Sequence, residues 1–370
     1  MTRKSGPWTR RQFGQALAVS AAATLLDRRS LAATSSSLAG FAYVAAGSLQ
    51  VLRVTGSRWT PVQTISAAAP GHLALHPHLP LLYVVHAVGL WNGLPRGAVS
   101  AYDIHPATGH VTRRVTQPLS LSAIYPRHAA ISPDGRHLLV AAEHAGIYNL
   151  LPLDPDGTPR APTAIRKEHG LGEAEEVKTS RPAHVSFDLS GTTAFAADVG
   201  HGTISAFTCE RDSIRLDGRV RSHAGAGPSQ LIHSSSSGCI YALCSDDGSI
   251  TVHRIKGLKI ATVSQVLSSR SLGPARMALH PTGKFLVTAG GGVLTTLVID
   301  QRNGSLKTAG VMPLKQYQSN PAFTPDGNYL ISMSEEEVTQ IPFDTAAGIF
   351  GPSQIVAQVT GARSVLFRSA

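Results

Sequence analysis

The chain has 370 residues, of which 42% are hydrophobic and 15% charged, with a formal net charge of +10. This composition supports a large folded core and argues against a disordered or highly charged chain. Cys209, Cys239 and Cys244 are odd in number and lack a CxxC spacing, so neither a disulfide framework nor a thiolate zinc site is indicated and buried free thiols are expected.

The N-terminal residues read as an export signal. Thr9-Arg10-Arg11-Gln12-Phe13 has the twin-arginine pattern, and the apolar run at residues 14–26 is too short to span a bilayer. Ser30-Leu31-Ala32 places small residues where a signal peptidase needs them, with cleavage expected after Ala32 or Ala33. The alternative is an uncleaved anchor. Residues 1–33 are therefore assigned to the signal and residues 34–370 to one folded domain. The signal holds six of the 33 basic and one of the 23 acidic residues, leaving 27 and 22. That mild positive balance, with no Lys/Arg cluster interleaved with aromatics, argues against nucleic acid and is compatible with a small acidic ligand. The expected mature protein is an exported monomer, periplasmic or secreted, with no membrane attachment.

Residues 41–54, FAYVAAGSLQVLRV, read as two strands joined by a Gly-Ser turn, with no inner strand before them. A repeating unit follows, an apolar run, a turn and a second apolar run. It is clearest at residues 125–142, YPRHAAISPDGRHLLVAA, where Pro presets the first turn angle and Gly takes the positive φ. The unit recurs at 73–85, 185–197, 231–243, 277–289 and 321–333. From Gly135 the turn glycines Gly191, Gly238, Gly283 and Gly327 follow at intervals of 56, 47, 45 and 44 residues. A period of this size, made of strands and turns without a helical pattern, predicts the blades of an all-β propeller. Residues 361–367, GARSVLF, stand where the other blades have their inner strand. They are expected to complete the blade begun by the N-terminus, closing a seven-bladed ring without an open sheet edge.

A second signature, a strand ending near Asp followed by a Gly turn and a return strand, occurs at residues 98–111, 295–306 and 337–350 and marks the blade rims. Residues 87–97 and 154–181 break the pattern and read as insertions on a face of the ring. His72, His76, His78 and His86 resemble a metal cluster, but His76 shares its turn position with His280, so turn chemistry is the preferred reading; no metal and no cofactor are expected.

The mature chain resembles the seven-bladed propeller lactonases, which include propeller-type 6-phosphogluconolactonases and carboxymuconate cyclases. The resemblance is carried by LYVVHAVG…GAVSAYDIHPATG, PRHAAISPDG, Arg181-Pro182-Ala183-His184 with Asp198-Val199-Gly200, Gly225-Ala226-Gly227-Pro228, HPTGKFL and NPAFTPDG. It implies hydrolysis of a sugar-type or related acidic lactone by a base that activates water and cations that hold the developing oxyanion. The family attributes these roles to a His in the fourth blade, an Arg and a Glu in the fifth and an Arg in the sixth. His184 matches the first. Ser229-Gln230, Ser245 and Gly290-Gly291-Gly292 stand at the other three, and His86 lies near a second-blade position that is often acidic.

The resemblance then implies a remodelled site. Its candidates are His184 as base with Asp198 orienting it, Arg276 or Arg127 as the oxyanion or substrate-anion clamp, and Arg127, His128, Ser229, Gln230, Ser245 and His86 as substrate contacts. The alternative is a non-catalytic exported propeller that binds a small molecule or a protein partner at the channel mouth.

Overall fold

A computed structural model describes residues 39–169, 179–223, 226–256, 259–267, 276–314 and 319–369. The expected export signal and the middle of the 154–181 stretch lie outside the described residues. The structure is a ring of seven antiparallel sheets. In the second blade the strands Pro70–Leu75, Leu81–His86, Ala98–Ile104 and Val111–Pro118 run in that order from the channel outward. The inner strands of the next five blades are Pro126–Ile131, Pro182–Phe187, Pro228–Ser234, Arg276–Leu279 and Ser319–Phe323. The C-terminal strand Ser364–Ser369 pairs with Ala39–Ala45 and supplies the inner strand of the first blade, as the sequence predicts. Neighbouring inner strands touch all the way round, which closes the ring.

The short apolar runs form strands because both of their faces are buried. Leu81, Tyr83 and Val85 point to the third blade, where they meet Leu138, Val140 and Ala142. Leu82 and Val84 point the other way, onto Phe41, Tyr43 and Val51 of the first blade. A strand sandwiched between two sheets has no polar face, so it reads as a continuous hydrophobic run rather than an alternation. The described core falls into seven clusters, one at each interface between adjacent blades. All three cysteines are buried and unbridged.

Tyrosine hydroxyls fasten the blades at their rims. Tyr43 donates to the Gly109 carbonyl of the next blade at 3.2 Å, Tyr83 to Gly157 at 2.6 Å and Tyr241 to Gly304 at 3.1 Å. Each acceptor glycine has φ between 70° and 83°, a conformation that costs other residues more, so these hairpins are structural. The 154–181 stretch is not wholly an insertion: Ala164–Lys167 is the outer strand of the third blade.

Candidate active site

Five inner strands begin with a β-bulge, a slip in register at Pro70/His72, Pro126/His128, Pro182/His184, Pro228/Gln230 and Ser319/Ala322. A bulge adds one residue to a strand and re-aims its side chains. In the third blade it brings Arg127 and His128, adjacent in sequence, into the same cavity wall. The seven blades contribute His72, His128, His184, Gln230, Arg276, Asn320 and Ser364 from equivalent positions. All seven line one cavity of about 700 Å³ at a mouth of the central channel.

Three of these side chains form a stack. The His72 and His128 rings lie 3.9 Å apart between centroids, and His128 and His184 lie 3.7 Å apart, with tilts of 34° and 33°. His72 Nε2 is 3.1 Å from the Ala129 carbonyl, which can only accept, so that nitrogen carries the proton. The Nδ1 atoms of His128 and His184 are buried without a hydrogen-bond partner. Burial lowers His72 to about 4. Burial, then the charges of His72 and Arg276, lowers His184 to about 3. His128 is held well below the usual imidazole value by burial and then by its two neighbours and the arginines. All three rings are therefore neutral at pH 7.

The cations lie beside the stack. Burial lowers Arg276 to about 10, Arg127 adds to the effect and Glu143 opposes it. Arg363, on the segment leading into the C-terminal strand, lines the same mouth. Glu143 is the one carboxylate among the described lining residues. It begins a short 3-10 turn after the second strand of the third blade and is buried. Its carboxylate accepts from Arg127 at 2.5 Å and Arg181 at 2.7 Å. Burial alone would raise its pKa; the two guanidinium groups outweigh that and hold it below the usual carboxylate value. With neutral imidazoles and Glu143 taken up, Arg127, Arg276 and Arg363 leave the mouth positive, which suits an anionic ligand.

The mouth thus gathers His184, Arg276, Arg127, His128, Ser229 and Gln230 from the sequence candidates. Asp198, Ser245 and His86 are not part of its described lining, and their expected roles are corrected here. Asp198 does not orient His184: its carboxylate accepts from Ser180 Oγ at 2.6 Å and from the backbone N–H groups of Arg181 at 2.8 Å and His201 at 2.9 Å. Ser245 Oγ donates to the Gly227 carbonyl at 3.2 Å and packs the blade edge. His86 is inside the second blade, with Nδ1 2.8 Å from the Ala68 carbonyl and Nε2 2.7 Å from Ser100 Oγ. Gln230 lines the mouth but spends its amide on the backbone of Met277.

The four histidines of the second blade do not form a site together. His72 joins the stack, while His76 reaches the Gly135 carbonyl of the next blade's turn at 3.2 Å, as His280 reaches Gly327 at 3.0 Å. Among the described residues no group of three His, Cys, Asp or Glu could hold a metal ion.

Sequence reasoning missed His72 as a mouth residue, and also Glu143, Asn320, Arg363 and Tyr125. The ring positions recur at intervals of 56, 56, 46, 46, 44 and 44 residues, a signal that would have found His72, Asn320 and Ser364.

A family model for lactonases of the seven-bladed β-propeller type matches residues 41–367. The chain belongs to that family. It is 23% identical over 252 residues to a 6-phosphogluconolactonase of Erwinia tasmaniensis, covering 65% of this chain and 72% of the relative. It is 20% identical over 285 residues to the Bacillus subtilis 6-phosphogluconolactonase, covering 74% and 80%. Among solved structures, a putative 6-phosphogluconolactonase of Bacteroides uniformis superposes with a TM-score of 0.80 at 18% identity, over 90% of this chain and 100% of that one. The Pseudomonas aeruginosa periplasmic gluconolactonase superposes with a TM-score of 0.78 at 20% identity, over 89% and 98%.

Proposed function

We propose that this propeller lactonase hydrolyses a sugar-type lactone at the channel mouth, outside the cytoplasm, with a site remodelled around the histidine stack. The observation that carries the reading is the meeting of His184, His128 and Arg276 in one positively charged cavity. Water adds to the lactone carbonyl carbon while His184 takes its proton. The carbonyl oxygen becomes an oxyanion held by Arg276. The ring oxygen then leaves as the C–O bond breaks and takes the proton back from His184, giving the open hydroxy acid, which releases its carboxyl proton to solvent. His184 is a weak base, chiefly because it is buried and to a lesser degree because of the charges of His72 and Arg276; an acidic substrate seated against Arg276 would offset that last, smaller part.

Export through the twin-arginine route is part of the proposal. The Arg10-Arg11 motif and the similarity to a protein described as a periplasmic gluconolactonase support it. A second reading, a binding propeller without catalysis, is favoured by one observation: no described carboxylate orients His184. The test is acid release from glucono-δ-lactone and 6-phosphogluconolactone at constant pH, corrected for spontaneous hydrolysis, with His184→Ala beside the native chain. A rate lost in the variant supports hydrolysis. No rate with either lactone from folded protein leaves the binding reading.

A further inference from the structure

We infer that Tyr125 and His144 form an aromatic platform at the mouth, against which the carbon–hydrogen face of a six-membered lactone ring lies, and that Tyr125 sets the preference for such rings. This rests on the site proposed above for sugar-type lactones and adds a residue and a mode of recognition to it.

Tyr125 is held where an aromatic residue is costly. Its φ is 49°, in the left-handed region, and the next residue is Pro126, which disfavours compact backbone conformations before it. The equivalent residues before Pro182 and Pro228, Arg181 and Gly227, have no positive φ, but in the second blade Ala69, before Pro70, has φ 39°. There the side chain is a methyl group. In the third blade it is a phenol ring, although a smaller residue would meet the backbone requirement at less strain.

The ring is not there to fill a core. Tyr125 is 43% exposed, yet it lines the mouth together with His144, and the two rings meet at a tilt of 41° with centroids 4.6 Å apart. Its position is fixed from several sides. The Tyr125 N–H donates to the Val88 carbonyl at 2.9 Å, and its own carbonyl accepts from the Glu143 N–H at 3.3 Å. The phenol packs against Gly89, where a Cβ would stand 2.9 Å from the hydroxyl oxygen.

Nor is the ring needed to hold the 87–97 segment. Backbone bonds from Gly97 to Ala123, Ser122 to Pro95 and Leu119 to Gly97 already fasten that segment to residues 119–125. A rigid, strained and exposed aromatic ring beside a polar catalytic cluster has the form of a recognition surface. A pyranoid lactone offers the matching chemistry: hydroxyl groups for Asn320 and Ser364, a carbonyl for Arg276, and one apolar ring face for the phenol.

The test uses a stable analogue, glucono-δ-lactam, so that binding is read without turnover. Calorimetric titration is done with the native chain, Tyr125→Phe and Tyr125→Gly, with thermal unfolding of each. Lactam binding is expected in the native chain and Tyr125→Phe, and about tenfold weaker binding in Tyr125→Gly. The Tm of Tyr125→Gly is expected to be no lower than native, since glycine relieves the backbone strain. If lactone turnover is present, KM should rise about tenfold with kcat retained. Equal lactam affinity in all three proteins, or no binding by the native chain, overturns the platform. A lower Tm in Tyr125→Gly with unchanged affinity marks a structural residue and also overturns it. Lactam binding that depends on Tyr125 without lactone turnover would retain the platform and refute hydrolysis.

Discussion

Gln230 and Met277 join the fifth blade to the sixth. The Gln230 amide accepts from the Met277 N–H at 2.8 Å and donates to the Met277 carbonyl at 2.9 Å, closing a two-bond ring on one backbone residue. Replacement by Ala leaves both backbone groups unpaired in a half-buried place, and the expected loss is about 1–3 kcal/mol of stability. Gln230→Glu should be as damaging, because a carboxylate accepts from the N–H but faces the carbonyl without a proton to give. Urea unfolding of the two variants checks this. A Gln230→Ala variant with native stability but impaired ligand binding would return Gln230 to the role of substrate contact.

The turn glycines should not be equivalent. Gly135 and Gly327 have φ of 72° and 73°, and a Cβ on either would collide with the histidine of the preceding blade, His76 or His280. Gly238 has φ 64°, but open space surrounds its Cβ position. Gly238→Ala carries only the backbone cost, about 1 kcal/mol. Gly135→Ala and Gly327→Ala add the collision and are expected to lose about 2–4 kcal/mol. Denaturant midpoints for the three variants give the ranking, and equal losses would contradict the His–Gly contact.

Acid should weaken the fold through the histidine stack. His72, at about 4, and His184, at about 3, are depressed in the folded chain, and His128 is depressed with them. In the unfolded chain the rings titrate near 6.5. Above that pH they are neutral in both states and add no pH dependence. As pH falls from about 6.5 toward 4, the unfolded chain takes up protons that the folded stack refuses, so stability is lost. Each ring contributes a slope of at most about 1.4 kcal/mol per pH unit. Glu143 is depressed by its arginine partners, so its contribution is also lost in acid, but at lower pH. Replacing His72 with Gln should flatten the dependence between pH 4 and 6, measured by denaturant titration at several pH values. An unchanged slope would mean that the stack is solvated and titrates normally.

The ring of seven was legible in the sequence because each blade needs one strand buried on both faces. The runs LLYVVH and CIYALC are apolar throughout for that reason. The closing strand was legible because Ala39–Ala45 lacked an inner partner. The site was only partly legible. His184, His128, Arg127 and Arg276 were found because they begin inner strands. Glu143 was not, since it follows a second strand and enters the mouth only through the short turn that ends at Gly146. Asp198 pairs opposite Pro182 at the end of its strand, near His184 in the ladder, but the backbone N–H groups around it claim its carboxylate. Sequence spacing gives proximity, whereas hydrogen-bond competition decides partnership.

Arg276 is the residue on which the proposed chemistry depends most, and its removal is the most direct measurement. Arg276→Met keeps the bulk and removes the cation. Thermal unfolding beside the native chain checks that the variant is folded. The account predicts that lactone hydrolysis above the spontaneous rate falls by about 100-fold or more in this variant, as expected when an oxyanion partner is lost. A correctly folded Arg276→Met protein that opens the lactone at the native rate would contradict the central claim that this mouth performs the hydrolysis.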